Sequence, residues 1–523
     1  MGFRRLRDWS LNGRGHAALV VLSIVIGVLA RTWEYGRLPP SLNPDEASAG
    51  VEARALLEDG VDRNGMSFPV KFISWGSGQD VLYAYLLIPV IYVAGLSPIT
   101  VRLPMLASAL ATLPLAYLVT RRIYGSGAAS IATFMLAISP WHILLSRWAL
   151  DSNLLPFVFL AGFGCLLLVE RNCWWFVLGA GLLALCLYSY GTAYWVVPAF
   201  MLGATVLIVR AGRLRGWPLL LGLATFLIVS APIALLLLVN QFGLNTIHLG
   251  PVTVPRFPVD VRWATMTLLS APSPLRAATN NASTAFGLFL TESDSIAYNA
   301  LNPYGIFYRA CLILAIAGLA LIVIRRDWSL NSRLLLLWVG TAACVGLLSS
   351  VNINRFNIIF IPMLVLGAYA ITALQVWNRW LGSIVLLTLL GAFCTFTLAY
   401  HGSGYRGIAD YKFQNGIIPA LLYAQRHSNG QICITDETNM PYIYALFTDA
   451  GSLADYRASV QYVDPTEPLR RVASFGKYVF GLPRCRPLTD ATYVLRADEI
   501  PPKIGNRYAY EFFDSFVVYY PAP

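Results

Sequence analysis

The sequence is poor in charge for its length, and it contains very little lysine. Of its 523 residues only 12% are charged, whereas 57% are hydrophobic and the mean hydropathy is +0.60. These values exclude an ordinary soluble enzyme, in which about 25% of the residues carry charge, and indicate a polytopic membrane protein. The formal net charge of +11 comes almost entirely from arginine. The only lysines are Lys71, Lys412, Lys477 and Lys503.

Basic residues do not alternate with aromatic residues in the manner of RNA-binding proteins. The positive charge is therefore interpreted as a signal for membrane orientation, and no nucleic-acid partner is expected. Internal repeats and low-complexity segments are also absent from the sequence.

Cysteine is scarce as well, and the eight cysteines lack the spacing of a metal site. Six of them lie in or at the edge of apolar runs and are interpreted as small buried hydrophobic residues: Cys165, Cys173, Cys186, Cys311, Cys344 and Cys394. Cys433 and Cys485 lie in the polar C-terminal part and can pair if that part is extracytoplasmic.

Long apolar runs are abundant, and twelve of them are long enough to span a bilayer or nearly so. They lie at about 16–34, 81–97, 100–120, 127–145, 153–169, 174–190, 193–209, 217–239, 306–324, 333–351, 356–376 and 381–399. The first run lacks a small-residue cleavage site before Arg31-Thr32-Trp33, so an uncleaved anchor is expected rather than a signal peptide. The sequence thus predicts a polytopic α-helical membrane protein with 11–13 transmembrane helices.

Arginines at the ends of these runs predict the orientation. Those assigned to the cytoplasm are Arg4, Arg5, Arg7, Arg14, Arg121, Arg122, Arg171, Arg210, Arg213, Arg215, Arg325, Arg326, Arg333 and Arg379. This assignment makes loops 35–80 and 240–305 and the tail after residue 400 extracytoplasmic, in a protein of the plasma membrane. It also requires an odd number of crossings, whereas twelve runs are counted. Either one run is re-entrant or half-spanning, with 81–97 the first candidate because Pro89, Gly95 and Pro98 interrupt it, or a span is missed or divided.

The domain prediction has two parts: a membrane module at 1–400 and a small soluble α/β domain at 401–523. Within the second part the pattern predicts helices at 415–426 and 441–447 and strands at 431–435, 474–482, 491–495 and 512–520. The prolines of loop 240–305 argue against a continuous helix there.

Two adjacent carboxylates, Asp45 and Glu46, follow the first apolar run. Asn43 is a good N-cap, Pro44 suits the first helical position, and Glu46 stands where it can complete a capping box. One interpretation is that the carboxylates merely start a helix. The alternative is that they carry out chemistry at the membrane surface.

Ionisable residues near apolar runs are costly unless they are paired or functional. Arg102 is one such residue, and Arg147 and Asp151 are two more. The last two stand four residues apart, so on a helix they share a face. They form either an interfacial ion pair or part of a substrate site. His248 and Arg256 lie in the second polar loop.

These groups together suit glycosyl transfer from a lipid phosphate. Such a site needs a carboxylate to take the proton of the acceptor hydroxyl and cationic groups to hold the phosphate. Asp45 and Glu46 are the candidates for the first task, whereas Arg102, Arg147 and Arg256 are candidates for the second.

The region 40–200 resembles the membrane glycosyltransferases of the GT-C superfamily. It is similar in particular to family 39-like bacterial enzymes related to protein O-mannosyltransferases and to the aminoarabinose transferase of lipid A. The motifs that carry the resemblance are Pro44-Asp45-Glu46-Ala47, Asp62-Arg63-Asn64-Gly65 with Phe68-Pro69, Leu82-Tyr83-Ala84-Tyr85, Val101-Arg102-Leu103-Pro104, and Ser139-Pro140-Trp141-His142 with Ser146-Arg147 and Asp151.

The resemblance implies an inverting transfer from a polyprenyl-phosphate sugar, with Asp45 as the base and Glu46 beside it. Family members often carry a lysine just before the second span, where this chain has Gln79-Asp80 instead. The phosphate clamp is therefore expected at Arg102 or in loop 240–305. The full set of expected substrate-binding residues is Arg102, Arg147, Asp151, Gln79, Tyr83 and Arg256.

No cofactor or metal is expected, with a divalent cation at Asp45, Glu46 and Asp151 as the alternative. The implied partners are a lipid-linked donor and an acceptor that is a protein, a lipid or a glycan. Two other function classes stay open: a lipid or glycan transporter or flippase, and an inactive scaffold whose tail binds a partner.

Overall fold

The structure is a computed structural model that describes residues 13–260, 267–268, 271–428, 430–485, 491–499 and 508–522. Arg4, Arg5 and Arg7, on which part of the predicted orientation rests, lie outside these residues.

Helices account for most of the described chain. Those of the first 400 residues are α1 Gly13–Thr32, α2 Pro44–Asp59, α3 Leu82–Ala94, α4 Pro98–Tyr124, α5 Ser126–Ile138, α6 Pro140–Leu145, α7 Asp151–Leu168, α8 Trp175–Leu185, α9 Ala193–Arg210, α10 Trp217–Gln241, α11 Pro274–Thr291, α12 Cys311–Arg325, α13 Leu330–Ala343, α14 Val345–Leu348, α15 Ile353–Phe356, α16 Phe360–Trp377 and α17 Arg379–Tyr400. The C-terminal helices are α18 Ser403–Lys412, α19 Ile417–His427, α20 Tyr442–Thr448 and α21 Ser452–Ser459.

Eight helical segments among the described residues are long and apolar enough to cross a membrane. They are Gly15–Thr32, Pro98–Tyr124, Asp151–Leu168, Ala193–Arg210, Trp217–Gln241, Leu330–Leu348, Ile353–Trp377 and Arg379–Tyr400. Four shorter apolar segments are Leu82–Ala94, Ser126–Ile138, Trp175–Tyr188 and Cys311–Arg325. Together they correspond one to one with the apolar runs of the sequence. The polytopic helical fold is therefore confirmed, and the chain is an integral membrane protein.

Helix α3 is the segment that the sequence marks as interrupted. It has 13 residues and ends at Gly95, whose φ of 71° lies in the left-handed region that favours glycine. A helix of this length rises about 20 Å, which is less than the roughly 30 Å hydrocarbon core of a bilayer. The length agrees with a segment that does not cross, and the exact number of crossings stays a prediction.

The chain divides into two compact units. Unit 1 consists of the described parts of 1–33, 105–234 and 263–402, and unit 2 of the described parts of 34–104, 235–262 and 403–523. The predicted division at residue 400 into a membrane module and a separate domain stays a prediction.

Unit 1 is a bundle of apolar helices with aromatic residues in its core. Trp338 is fully buried, packs on Phe159 and Phe163, and donates a hydrogen bond from Nε1 to the Ile358 carbonyl at 3.0 Å. Helices α12 and α16 approach so closely that a Cβ at Gly318 would lie 2.1 Å from the backbone oxygen of Leu366. Small residues at such crossings are typical of helix packing in membranes.

Unit 2 contains the strands of the described chain. Its strands are β1 Ile247–Leu249, β2 Val252–Val254, β3 Ile432–Ile434, β4 Gln461–Tyr462, β5 Val472–Phe475, β6 Tyr478–Phe480, β7 Thr492–Arg496, β8 Tyr508–Phe513 and β9 Phe516–Pro521. β1 and β2 form an antiparallel hairpin, and the others form a seven-stranded sheet in the order β4-β5-β6-β3-β7-β9-β8. β3 runs parallel to β6 and β7, whereas the remaining pairs are antiparallel. The predicted C-terminal α/β fold is confirmed.

Two predicted strands of the C-terminal part are wrong in one respect, because each is a hairpin rather than one strand. The stretch predicted at 474–482 contains parts of β5 and β6, which are joined at Gly476 with φ of 48°. The stretch predicted at 512–520 contains parts of β8 and β9, which are joined at Asp514 with φ of 51°. In both segments apolar residues stand on each side of a short turn. The strand-like pattern therefore continues across the turn, and the sequence does not show where the chain reverses direction.

Three helices of the polar parts of the chain were not predicted. Helices α18 and α21 lie in the C-terminal part, and the 18-residue helix α11 lies in loop 240–305. α11 begins at Pro274, a position where proline starts a helix instead of breaking it.

Candidate active site

The carboxylate stretch forms the start of helix α2, as its local pattern predicts. The side chain of Asn43 accepts a hydrogen bond from the Glu46 amide at 2.9 Å, and the side chain of Glu46 accepts one from the Asn43 amide at 3.0 Å. This reciprocal capping box satisfies two backbone donors at the helix end. The interpretation as a helix start is confirmed, and it does not by itself account for the long-range partners of the two carboxylates.

Glu46 is fully buried and forms a two-pronged ion pair with Arg102, which is also fully buried. Arg102 Nε lies 2.7 Å from Glu46 Oε1, and Nη2 lies 2.8 Å from Oε2. Arg102 also donates to the carbonyl oxygens of Pro39, at 2.7 Å, and Ser41. Arg102 thus fixes the chain just before the helix to the helix itself. Its predicted contact with a donor phosphate stays a prediction.

Asp45 is half-buried, whereas the neighbouring Glu46 is fully buried. Asp45 Oδ1 accepts a hydrogen bond from the indole Nε1 of Trp75 at 3.2 Å. Gln79 Nε2 donates to the backbone oxygen of Asp45 at 3.3 Å, and Gln79 Oε1 accepts from Ser48 Oγ at 2.7 Å. Gln79 therefore fixes the loop against the first turns of α2, which orients Asp45.

A second buried ion pair lies further along the same helix. Glu52 and Arg63 are both fully buried, and Arg63 Nε lies 3.3 Å from Glu52 Oε1. The guanidinium of Arg63 lies 4.9 Å from the ring centre of Trp75. Trp75 therefore contacts both Arg63 and Asp45. The sequence indicates no function for Trp75 or Glu52, and it marks Arg63 only as part of a motif.

Asp62 is a buried carboxyl beside this pair. Oδ1 accepts hydrogen bonds from the backbone amides of Asn64 and Met66, each at 2.8 Å, whereas Oδ2 is buried without a hydrogen-bond partner among the described residues. Burial, and then the nearby Glu52 carboxylate, raise the pKa of Asp62 to about 7.

Lys71 supplies a positive charge near the start of α3. Its Nζ lies 2.5 Å from Oδ1 of Asp80, and both side chains are largely buried. The resemblance expects a lysine just before this helix, and the local sequence there is Gln79-Asp80. A lysine from an earlier part of the loop reaches that place instead, which sequence spacing did not reveal.

Tyr83 is buried and donates a hydrogen bond to the backbone oxygen of Val101 at 2.6 Å. This contact joins α3 to the start of α4 and holds the segment that carries Arg102. Its predicted substrate contact stays a prediction.

Arg256 lines a cavity of about 680 Å³ within unit 2. The cavity is lined by Arg63, Asn64, Ile73, Asn245, Thr246, Arg256, Phe257, Pro258, Tyr456, Arg457, Val460, Tyr462 and Arg470. Four of these residues are arginines, and they come from three separate stretches of the chain. His248 lies on β1, where Nδ1 is 3.3 Å from Thr253 Oγ1.

Arg147 and Asp151 belong to unit 1, and the prediction that they share a helix face is wrong. Helix α6 ends at Leu145 and α7 begins at Asp151, so the chain between them is not helical. Arg147 is buried and donates to the carbonyl oxygens of Ala30, at 3.2 Å, and Trp33, at 2.7 Å. These carbonyls lie at the end of α1, where a cation is favourable. The predicted substrate roles of both residues stay predictions.

Unit 1 also contains an apolar cavity of about 640 Å³. It is lined by Ile26, Leu29, Ala30, Trp33, Ile143, Phe393, Phe396, Thr397, Leu398, Tyr400 and His401. The ring of Tyr400 lies 5.4 Å from the guanidinium of Arg147. Such an apolar cavity is chemically suited to the apolar chain of a lipid.

No group of three or more His, Cys, Asp or Glu side chains within the described part of the chain could hold a metal ion. Both carboxylate oxygens of Glu46 accept from Arg102. The alternative cation site at Asp45, Glu46 and Asp151 stays a prediction. The expectation that the reaction uses no metal stays a prediction.

Comparison with known proteins adds a partial family match. The family model described as dolichyl-phosphate-mannose-protein mannosyltransferase matches residues 80–235. No curated protein sequence matches the chain.

Solved structures match over most of the chain. ArnT from Cupriavidus metallidurans, bound to undecaprenyl phosphate, shares 14% identity and a TM-score of 0.59, and the alignment covers 98% of each chain. The oligosaccharyltransferase of Archaeoglobus fulgidus, tethered with an acceptor peptide, shares 15% identity and a TM-score of 0.52 over 84% of this chain and 63% of that one. The same archaeal enzyme, AglB, in complex with an inhibitory peptide and a dolichol-phosphate, gives a TM-score of 0.51 at 15% identity over 84% of this chain and 64% of that one. The chain thus spans less than two thirds of the length of the archaeal enzyme, and at these identities the comparisons show a shared fold.

Proposed function

We propose that this chain is a membrane glycosyltransferase of the GT-C superfamily, whose fold it shares, and that it transfers a sugar from a polyprenyl-phosphate donor to an acceptor hydroxyl. Asp45 is the general base, and the sugar is transferred with inversion at the anomeric carbon. The observation that carries the proposal is the half-buried carboxylate of Asp45, which Trp75 holds beside the buried Glu46–Arg102 pair.

The reaction exchanges one bond at the anomeric carbon for another. The acceptor oxygen attacks that carbon and gives its proton to Asp45, while the bond from the carbon to the phosphate oxygen breaks. The electron pair of that bond leaves with polyprenyl phosphate. Phosphate is a competent leaving group, so the reaction needs a base and a stabilised phosphate but no strong acid.

Glu46 is a positioning residue in this proposal. Its oxygens are fully used by Arg102 and by the Asn43 amide, so it is not placed to take a proton. The ion pair instead fixes the first turn of α2, from which Asp45 projects. A base must be held within hydrogen-bond reach of the acceptor proton, and a rigid first turn supports that requirement.

Lys71 is our candidate for the cation that holds the donor phosphate. It lies against Asp80 at the start of α3, near the place where the resemblance expects a lysine. An ammonium group binds phosphate as a point charge. Asp80 orients the lysine until the donor arrives, and donor binding then requires that the lysine exchanges the carboxylate for the phosphate.

We further propose that unit 2 faces the extracytoplasmic side of the plasma membrane. Cys433 and Cys485 form a disulfide, as the sequence analysis allows for an extracytoplasmic domain. Disulfides persist in oxidising compartments, and the arginine distribution supports the same orientation.

The test uses the purified full-length protein in lipid nanodiscs with a radiolabelled polyprenyl-phosphate sugar. We expect release or transfer of the sugar by the unchanged protein and a loss of at least about 100-fold in the Asp45→Asn variant. Glu58→Gln is the matched control, because Glu58 is an exposed acid on the same helix. It should retain full activity.

The same preparation separates the proposal from the flippase alternative. Movement of the labelled lipid between leaflets without cleavage of the sugar–phosphate bond would contradict the proposal. Cleavage that is equally fast in the Asp45→Asn variant would contradict the role of Asp45.

A further inference from the structure

The arginine cavity of unit 2, defined as the cavity that Arg63, Arg256, Arg457 and Arg470 line, is not needed to bind the leaving phosphate or to take the acceptor's proton. We infer that it binds an anionic group of the acceptor, so that the acceptor is an anionic saccharide: a sugar phosphate or a uronic acid. This inference rests on the proposed function and names the acceptor class for it.

The charges of the lining do not balance. Arg63 is paired with Glu52, with Nε and Oε1 3.3 Å apart, and Arg457 is paired with Asp59, with Nη1 and Oδ2 2.6 Å apart. Within the described part of the chain, no ion pair involves Arg256 or Arg470. Two guanidinium charges therefore remain for a ligand.

The hydrogen-bonding groups of the lining also favour an anionic ligand. The buried polar atoms of the lining without a hydrogen-bond partner among the described residues are all N–H donors: Arg63 Nη2, Asn64 Nδ2, Arg457 Nε and Arg470 Nε, together with Arg63 Nε, which lies in the ion pair with Glu52. The side chain of Arg63 is fully buried, and Arg470 is 9% exposed. A buried donor without a partner destabilises the site, and a ligand rich in acceptor oxygens removes that penalty.

Arg470 is held in place before any ligand arrives. Its guanidinium lies 4.4 Å from the ring centre of Tyr462, and its backbone amide donates to the Trp75 carbonyl at 2.8 Å. Gly76, with φ of 107°, lets this side chain approach closely, because a Cβ at that position would lie 2.8 Å from Arg470 Nε. A preorganised arginine loses little freedom on binding and can grip two oxygens at once.

The other lining residues favour a saccharide over a bare ion. Tyr456 and Tyr462 present rings and hydroxyls, with the two hydroxyl oxygens 3.2 Å apart, and Asn64, Asn245 and Thr246 add amide and hydroxyl groups. A volume of about 680 Å³ exceeds the space that a single phosphate needs.

The location favours the acceptor over the donor. The donor phosphate is attached to a long apolar chain, whereas Ile73, Phe257, Pro258 and Val460 are the apolar members of this polar lining. Arg63 contacts Trp75, which donates to Asp45. Arg63 and the proposed base thus contact the same indole ring, which favours an acceptor that reaches both the cavity and Asp45.

The binding test uses glucose 6-phosphate, glucuronic acid and glucose as probes, with the purified full-length protein and calorimetric titration at constant ionic strength. We expect both anionic probes to bind at least tenfold more tightly than glucose. Arg470→Gln and Arg256→Gln should each weaken the anionic probes at least tenfold. Arg471→Gln is the control, because the neighbouring Arg471 is exposed and paired with Glu467, and it should bind as the unchanged protein does.

Two outcomes of the binding test would overturn the inference: equal affinity for glucose and the anionic probes, or unchanged affinity in both cavity variants. A separate arm measures the KM of the polyprenyl-phosphate sugar in acceptor-independent sugar release. A tenfold rise of that KM in Arg470→Gln would assign the cavity to the donor phosphate and also overturn the inference. The titration uses no donor, so a failure of the proposed transfer reaction is seen separately as absent sugar release.

Discussion

Arg102 and Glu46 form a buried, two-pronged ion pair in which Nε and Nη2 of the arginine lie 2.7 and 2.8 Å from the two carboxylate oxygens. The two residues are separated by 56 positions in the sequence. Their pairing holds the first turn of α2 in place within unit 2, because the arginine also donates to two carbonyl oxygens that precede the helix. The two adjacent acids therefore have different roles in the proposal. Glu46 positions the first turn of α2, and Asp45 is the general base.

The first prediction concerns this ion pair. Glu46→Gln leaves the Arg102 charge buried without its counter-charge, and removal of one partner of a buried pair costs about 3–5 kcal/mol. We expect a clearly lower unfolding temperature in detergent, measured by intrinsic fluorescence. Arg102→Lys should also destabilise, since a lysine cannot form both prongs.

Glu467→Gln serves as the control, because it breaks an exposed pair with Arg471 on the protein surface. No measurable change of the unfolding temperature is expected there. If Glu46→Gln were as stable as this control, the positioning role of the buried pair would be contradicted.

The second prediction concerns Trp75. Trp75→Phe keeps an aromatic ring against Tyr442, whose ring centre is 6.0 Å away, but removes the indole N–H that donates to Asp45. A hydrogen bond to a charged group contributes about 1.5–3 kcal/mol, so we expect kcat to fall about 10- to 100-fold. The KM of the donor should change little.

Trp217→Phe is the control for the loss of an indole, since Trp217 is 72% exposed and lies at the start of α10. Equal kcat values for the two variants would show that the Trp75 N–H does not act through Asp45.

Part of this arrangement could be predicted from the sequence, because it depends on residues that are close together in the chain. The apolar runs follow from composition over about 20 residues, and the capping box follows from Asn43, Pro44 and Glu46 within one turn. The Cys433–Cys485 pair could be suggested because these are the two cysteines outside the apolar runs.

The partners of the site residues could not be predicted, because they depend on contacts between distant parts of the chain. Lys71 reaches Asp80 across a looped segment, and Arg470 reaches Gly76 from almost 400 positions away. The spacing of Arg147 and Asp151 does not place them on one helix face for a related reason. One helix ends at Leu145 and the next begins at Asp151, so helical periodicity does not apply between them.

The third prediction tests Lys71. The single change Lys71→Gln would leave Asp80 buried and unpaired, so we combine it with Asp80→Asn, which removes both charges of the pair. If Lys71 holds the donor phosphate, the double variant should fold and should show a KM for the donor at least tenfold higher. A double variant with an unchanged donor KM would show that the pair is structural.

The fourth prediction concerns the disulfide. Cys433 and Cys485 are separated by 52 positions, and Cys433 packs in a core cluster with Tyr493, Leu495 and Val517. Replacing both cysteines by alanine should lower the free energy of unfolding by about 2–4 kcal/mol. Mass spectrometry of the non-reduced, digested protein from the native membrane should show the two peptides linked. Free thiols at both positions would contradict the extracytoplasmic assignment.

The fifth prediction is a pH dependence that arises from Asp62. The folded state raises the pKa of this carboxyl from 3.8 to about 7, so between these pH values the folded protein holds a proton that the unfolded chain releases. Its contribution to stability is fully present below pH 3.8 and is lost as the pH rises through about 7. In Asp62→Asn the side-chain amide is uncharged at every pH, as the protonated carboxyl group of Asp62 is.

The variant should therefore remove this fall in stability between weakly acidic and neutral pH. We expect its unfolding temperature at neutral pH to equal or exceed that of the unchanged protein, with the two converging in acid. Asp498→Asn is the control, because Asp498 is a carboxylate whose side chain is 78% exposed, and it should follow the unchanged protein at every pH. If Asp62→Asn follows it too, the neighbouring Glu52–Arg63 pair, rather than Asp62, controls the response of this region to pH.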